Sequence, residues 1–130
     1  MTTNAVLVVE DEPLIQLDLE TALVEAGFDV VTANSAAQAI TLFDAGPQRF
    51  KALLTDIRLG PGQTGWDVAR HVRREIPTFP VVYLSGDGAI YWGSEGVPNS
   101  IMISKPSFLP QVITALATLL NEQEPSPDAV

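Results

Sequence analysis

The chain has 130 residues, 7 basic and 16 acidic side chains, a net charge of −9, one histidine and no cysteine. The length suits one domain, and an apolar share of 46% is enough for a real core. The acidic balance argues against a nucleic-acid binder or an anionic-membrane binder. The missing cysteines exclude disulfides and thiolate ligands, and a single histidine argues against a zinc site.

Met1 to Ala5 carries no basic side chain, and the apolar run that follows stops at Glu10, so no signal peptide is expected. No apolar run approaches the ~20 residues that span a bilayer. The expected location is cytoplasmic.

Ala5-Val6-Leu7-Val8-Val9 is short, β-branched and continuously apolar, the pattern of a strand buried on both faces. Glu10-Asp11-Glu12 ends it, and Pro13 suits a first helical position. From Pro13 to Ala26, Ile15, Leu19, Ala22, Leu23 and Ala26 recur at helical spacing, and Gly27 supplies the stop. The pattern then repeats. Phe28 to Ala33 reads as a strand, and a helix capped at Asn34 or Ser35 runs to about Asp44. Ala52 to Ile57 is another buried strand with Asp56 near its end. A glycine-rich loop from Leu59 to Gly65 leads to a helix over about Trp66 to Glu75. Val81 to Ser85 and Ile101 to Ser104 are the last two strands. A final helix spans about Leu109 to Leu120, with Val112, Ala115, Leu116 and Leu119 inward.

Residues 86–100 break the rhythm. Gly86, Gly88, Gly93, Gly96 and Pro98 oppose a helix, so the fourth crossover is expected to be degenerate: at most a short helix around Ala89–Ser94. Tyr91 and Trp92 lie there, either to pin the loop or to meet a partner. The expected domain is 1–121, with 122–130 a flexible tail.

Five β-α alternations imply an α/β fold, a doubly wound parallel sheet with helices on both faces. Functional groups in such folds gather where strands end. Here those ends carry Glu10 and Asp11, Asp56, Ser85, and Lys105. Three neighbouring carboxylates need a cation, and oxygen-only ligation favours Mg²⁺, Mn²⁺ or Ca²⁺. A lysine and a hydroxyl opposite could hold phosphate oxygens, which suits phosphoryl transfer. No hydroxyl or thiol nucleophile has a histidine base, since His71 lies on the outer part of its helix. The acceptor is therefore a carboxylate.

The chain is similar, from about Val6 to Leu120, to the receiver domains of two-component response regulators, relatives of the chemotaxis receiver. Four motifs carry the resemblance: Val8-Val9-Glu10-Asp11-Glu12-Pro13, Leu54-Thr55-Asp56-Ile57-Arg58-Leu59, Tyr83-Leu84-Ser85-Gly86 and Ile103-Ser104-Lys105-Pro106. Each is weak alone; their order and spacing are specific. The resemblance implies a flavodoxin-like five-stranded sheet of order 2-1-3-4-5. It implies that Asp56 is the phosphoacceptor, that Asp11 binds Mg²⁺ (or Mn²⁺) directly with Glu10 through water, and that the Arg58 backbone carbonyl completes the metal site with Asp56. Ser85 and Lys105 would contact the phosphoryl oxygens, and the Lys105-Pro106 peptide would be cis. A sensor histidine kinase or histidine phosphotransfer protein would be the donor, and an output protein the target. Neither nucleic acid nor membrane is an expected partner, and a homodimer is open. Such a domain is not an enzyme beyond catalysing its own phosphorylation and dephosphorylation.

Three departures stand out. Met102 occupies the place of the family's aromatic switch residue, Gly65 falls nine positions after Asp56, and the fourth crossover is glycine-rich. Switching is therefore expected to run through residues 86–100, with Arg58 and Asp87 modulating dephosphorylation at the mouth of the site. The alternative is a pseudo-receiver, the same fold used as an interaction module without phosphorylation. A haloacid-dehalogenase-like phosphatase would need an acid where Arg58 stands. A flavodoxin would need hydroxyls where the first turn is acidic.

Overall fold

The computed structural model describes residues 5–86, 92–105 and 109–123. In chain order these form β1 (Ala5–Val9), α1 (Pro13–Glu25), β2 (Asp29–Ala33), α2 (Ala36–Ala45), a 3₁₀ turn (Pro47–Arg49), β3 (Phe50–Asp56), α3 (Gly65–Glu75), β4 (Val81–Ser85), α4 (Trp92–Glu95), β5 (Ile101–Ser104) and α5 (Leu109–Gln123). All strand pairs are parallel, in the order β2-β1-β3-β4-β5. The continuous apolar runs of β1, β3 and β4 are buried throughout apart from half-buried Lys51, as two covered faces require.

Alternation of side chains splits the core into two layers. Leu7, Val9, Leu53, Val81 and Tyr83 face α2 and α3, where Phe43, Trp66, Val68 and Val72 meet them. Val6, Val8, Leu54, Val82, Leu84 and Ile103 face α1 and α5, meeting Leu19, Leu23, Val112, Leu116 and Leu119. The inward stripe expected for α5 is therefore the observed one, and α5 continues to Gln123. On α1 only Leu19 and Leu23 are fully buried; Leu14, Leu17 and Val24 are exposed.

Helix ends follow local chemistry. Gly27 closes α1 in a Schellman arrangement, with Phe28 N–H on Leu23 O at 2.9 Å and Gly27 N–H on Val24 O at 3.0 Å. Ser35, not Asn34, caps α2, its hydroxyl accepting the Gln38 N–H at 3.1 Å. Thr64 and Asp67 form a reciprocal capping box on α3, a signal the sequence carried as Thr-x-x-Asp. Among the described residues of the fourth crossover, α4 covers Trp92–Glu95. Asp87, Tyr91, Pro106 with the peptide bond before it, and 124–130 of the expected tail lie outside the described residues.

Candidate functional site

Three strands of a parallel sheet end at one edge, and their terminal residues meet there. Glu10 follows β1 and is 1% exposed; Asp56 ends β3 and is 7% exposed; Ser85 ends β4 and is buried. Asp11 is exposed beside them. One carboxylate oxygen from each of Glu10, Asp11 and Asp56 lies within 4.8 Å of the others. Lys105, one residue beyond β5, reaches across. Its Nζ donates to Asp56 Oδ2 at 2.8 Å and to Glu10 Oε1 at 3.0 Å. Its backbone N–H donates to the Ser85 carbonyl at 2.7 Å, which fixes β5 to β4 at the site. Asp56, Arg58, Ser85, Gly86 and Lys105 line an opening of about 410 Å³. The structure thus brings together Glu10, Asp11, Asp56, Ser85 and Lys105, with Arg58 exposed at the rim.

The charges are balanced by burial against pairing. Burial raises the Glu10 carboxyl above 4.5; the Glu12 N–H on Oε2 and the Lys105 ammonium pull the other way without prevailing. Burial alone would lower Lys105, but hydrogen bonds to Asp56 and Glu10 and their charges outweigh it and hold the ammonium above 10.5. Because the folded chain binds that proton more tightly than the unfolded chain, the Lys105 contribution is complete below pH 10.5 and fades as pH rises through the elevated value. Denaturant titrations in chelator should show wild-type stability falling above pH 10.5 with a steeper slope than Lys105→Met, and equal slopes would contradict the pairing.

All three cluster side chains offer oxygen, the donor set of Mg²⁺ or Mn²⁺. The group fits such an ion: two buried carboxylates and one exposed carboxylate converge, and the flanking cation, Lys105, is tethered to two of them.

The β3–α3 loop is anchored beside Asp56. Gly65 N–H donates to Ile57 O at 2.9 Å, and the Thr55 hydroxyl donates to the Asp56 carbonyl at 2.8 Å. A Cβ at Gly65 would stand 2.1 Å from the Asp56 carbonyl oxygen, so only glycine allows this approach.

Met102 is half-buried on β5, opposite Tyr83 of β4 in the register. Sequence reasoning missed what Tyr83 does. Its ring is fully buried against Trp66, with centroids 4.7 Å apart, and its hydroxyl accepts the Val97 N–H at 3.1 Å. The Val97 carbonyl in turn accepts from the Ser100 hydroxyl at 2.6 Å, and Ser100 accepts the Trp92 indole N–H at 2.9 Å. Trp92 therefore pins its own loop. Arg73 donates to Phe79 O at 2.6 Å and Pro98 O at 2.6 Å, and Arg70 pairs with Glu95. A phenol within an apolar strand announces a buried partner. Nothing in the sequence says that the partner is Val97. His71 pairs with Asp44 at 2.7 Å between α3 and α2 and is not one of the cluster residues.

No helix among the described residues is long and apolar enough to cross a membrane. The chain is similar to a crystal structure of a response regulator receiver protein from Sinorhizobium medicae. That likeness has 41% identity and a TM-score of 0.89 and covers 93% of this chain and 97% of the other. A receiver domain from Clostridium thermocellum superposes with a TM-score of 0.81 at 25% identity, over 92% and 96% of the two chains. Among curated proteins, the probable transcriptional regulatory protein TcrX of Mycobacterium tuberculosis is 32% identical over 118 residues, 89% of this chain and 49% of TcrX. The chain spans about half the length of the curated relatives it matches first. The sequence profile of the response regulator receiver domain matches residues 6–117, and on that match, with the sheet order and the relatives, the chain belongs to the response regulator receiver domain family.

Proposed function

We propose that this domain accepts a phosphoryl group on Asp56 in a Mg²⁺-dependent reaction with a sensor histidine kinase or histidine phosphotransfer protein. The observation that carries the reading is the Lys105 ammonium set between two buried carboxylates at the open edge of a receiver fold. A carboxylate oxygen of Asp56 forms the new bond to phosphorus as the bond to the donor's leaving group breaks. Asp11, Glu10, Asp56 and the Arg58 backbone carbonyl would hold the ion, which supplies charge neutralisation on the phosphoryl oxygens when bound. Ser85 and Lys105 contact those oxygens from the other side. The chain is a phosphoacceptor and not a turnover enzyme, and its setting is the cytoplasm.

The change on phosphorylation passes through 86–100 and not through a ring at position 102. The tie from Tyr83 to Val97, on the strand that ends in Ser85, supports this route. Arg58 and Asp87 modulate water access to the acyl phosphate. Output passes to a partner protein. Relatives such as TcrX are named transcriptional regulators, so in a longer protein the output could reach DNA. A homodimer is compatible with this role.

Acetyl phosphate with Mg²⁺, followed by intact-mass measurement, should add one phosphoryl group to wild type and none to Asp56→Asn. Mg²⁺ should also raise the melting temperature. A ~1 mM site at ~10 mM Mg²⁺ contributes about 1.4 kcal/mol by linkage, a few degrees for a domain this size. A second reading, the pseudo-receiver, is favoured by Met102 and by the glycine-rich fourth crossover. It would be supported if neither acetyl phosphate nor a cognate donor modified Asp56 and Mg²⁺ left the melting temperature unchanged.

A further inference from the structure

The turn that carries Glu10 and Asp11 has a tether that the site chemistry above does not use. Gln16 lies on α1, half-buried. Its Nε2 is 3.1 Å from Glu10 O, 3.2 Å from Ala33 O and 3.1 Å from Asn34 Oδ1. Two of these are backbone carbonyls, which can only accept. The amide nitrogen must therefore face them, since a flipped amide would set oxygen against oxygen.

Glu10 is held on both sides by this arrangement. Its N–H donates to Ala33 O at 3.1 Å, one step past the last β1–β2 ladder pair, Val9 with Ala33. Its C=O lies beyond the ladder and takes Gln16 instead. That carbonyl belongs to the peptide joining Glu10 to Asp11. Fixing its plane fixes the direction in which Asp11 leaves the strand, and hence where its carboxylate stands relative to Asp56. The tether has work to do, because Glu10, Asp11 and Glu12 are three consecutive acids whose repulsion would open the turn. A neutral amide holds the turn without adding positive charge where a cation must bind. The support continues to α2: Asn34 N–H donates to Gln38 Oε1 at 2.6 Å, and Gln38 N–H to the capping Ser35 hydroxyl at 3.1 Å.

We infer that Gln16 is a positioning residue for the carboxylate cluster: by bridging the Glu10 carbonyl to the end of β2 it presets the turn that aims Glu10 and Asp11 at Asp56. The inference rests on the Mg²⁺-binding reading proposed above. Partners that orient metal ligands characteristically change metal affinity more than they change the fold.

The test is the Mg²⁺ dissociation constant, taken from the Mg²⁺ dependence of the melting temperature, for wild type, Gln16→Met and Gln16→Ala. Gln16→Met keeps the unbranched shape and loses both N–H donors. Each variant should bind Mg²⁺ about 10-fold more weakly while its melting temperature in chelator falls only slightly. Asn34→Ala removes only the exposed third contact and should stay within about twofold of wild type. If wild type shows no Mg²⁺ response, the metal-dependent reading itself falls. If wild type responds and both Gln16 variants match its affinity, the metal reading stands and this inference falls alone. A variant less stable in chelator but unchanged in Mg²⁺ affinity would make Gln16 a structural tie only, which also overturns it.

Discussion

Gly65→Ala should lower the melting temperature by roughly 10 °C. The new Cβ would lie 2.1 Å from the Asp56 carbonyl oxygen and 2.9 Å from both the Asp56 carbonyl carbon and Ile57 Cα. Every one of these atoms is backbone, so no side chain can rotate away. Either β3 or the first turn of α3 must move, and the Gly65 to Ile57 hydrogen bond would stretch with it. Overpacking of this kind costs about 3 kcal/mol, a large part of a domain's stability. The shift falls on Asp56, the proposed acceptor, so phosphorylation by acetyl phosphate should be lost even at temperatures where the variant is folded. Gly62→Ala is the control. That glycine has φ of +100° with nothing near its Cβ position, so only backbone strain of about 1 kcal/mol applies. Thermal melts of the two variants decide the matter. Equal losses would mean that the contact under Asp56 relaxes freely.

Lys105→Met should cost about 3 kcal/mol at neutral pH in chelator, because it leaves Glu10 and Asp56 facing each other without their shared cation. Glu10 is 1% exposed and Asp56 7%, so water cannot easily take the ammonium's place. Lys105 itself keeps 20% of its side chain exposed, which holds the figure toward the lower end for a buried pair. The loss should shrink as pH falls. Burial already raises the Glu10 carboxyl above 4.5, and removing Lys105 removes an interaction that opposes that rise. The folded variant then takes up a proton more readily than the unfolded chain, so its stability increases as pH drops toward 4.5. Added Mg²⁺ should narrow the gap as well, by supplying positive charge to the same carboxylates. Denaturant melts of wild type and variant at several pH values provide the check. A pH-independent difference, or one below about 1 kcal/mol at neutral pH, would show that the pair behaves as an exposed ion pair.

Much of this was legible along the chain, because it depends on short periods. Continuous β-branched runs such as Val6 to Val9 need two covered faces, and alternation with amphipathic helices then implies a parallel sheet. Side chains at the ends of parallel strands share an edge. Glu10, Asp11, Asp56, Ser85 and Lys105 could therefore be placed together from their positions in the runs alone. The glycines and proline of residues 86–100 are local signals of the same kind, since they oppose a helix wherever they stand.

Other features depend on contacts across long stretches of chain, which no period encodes. Lys105 meets Glu10 across 95 positions and Asp56 across 49. The sequence supplied the residue types, but only the packed sheet showed that this lysine spans two buried carboxylates. The tie from Tyr83 to Val97 and the grip of Gln16 on the Glu10 carbonyl each end on a backbone group. Backbone groups are the same at every residue, so a side chain cannot announce which one it will meet. Gly65 shows the division most plainly. Its identity and its distance from Asp56 along the chain are in the sequence, while the 2.1 Å that forbids a Cβ exists only once β3 and α3 have packed.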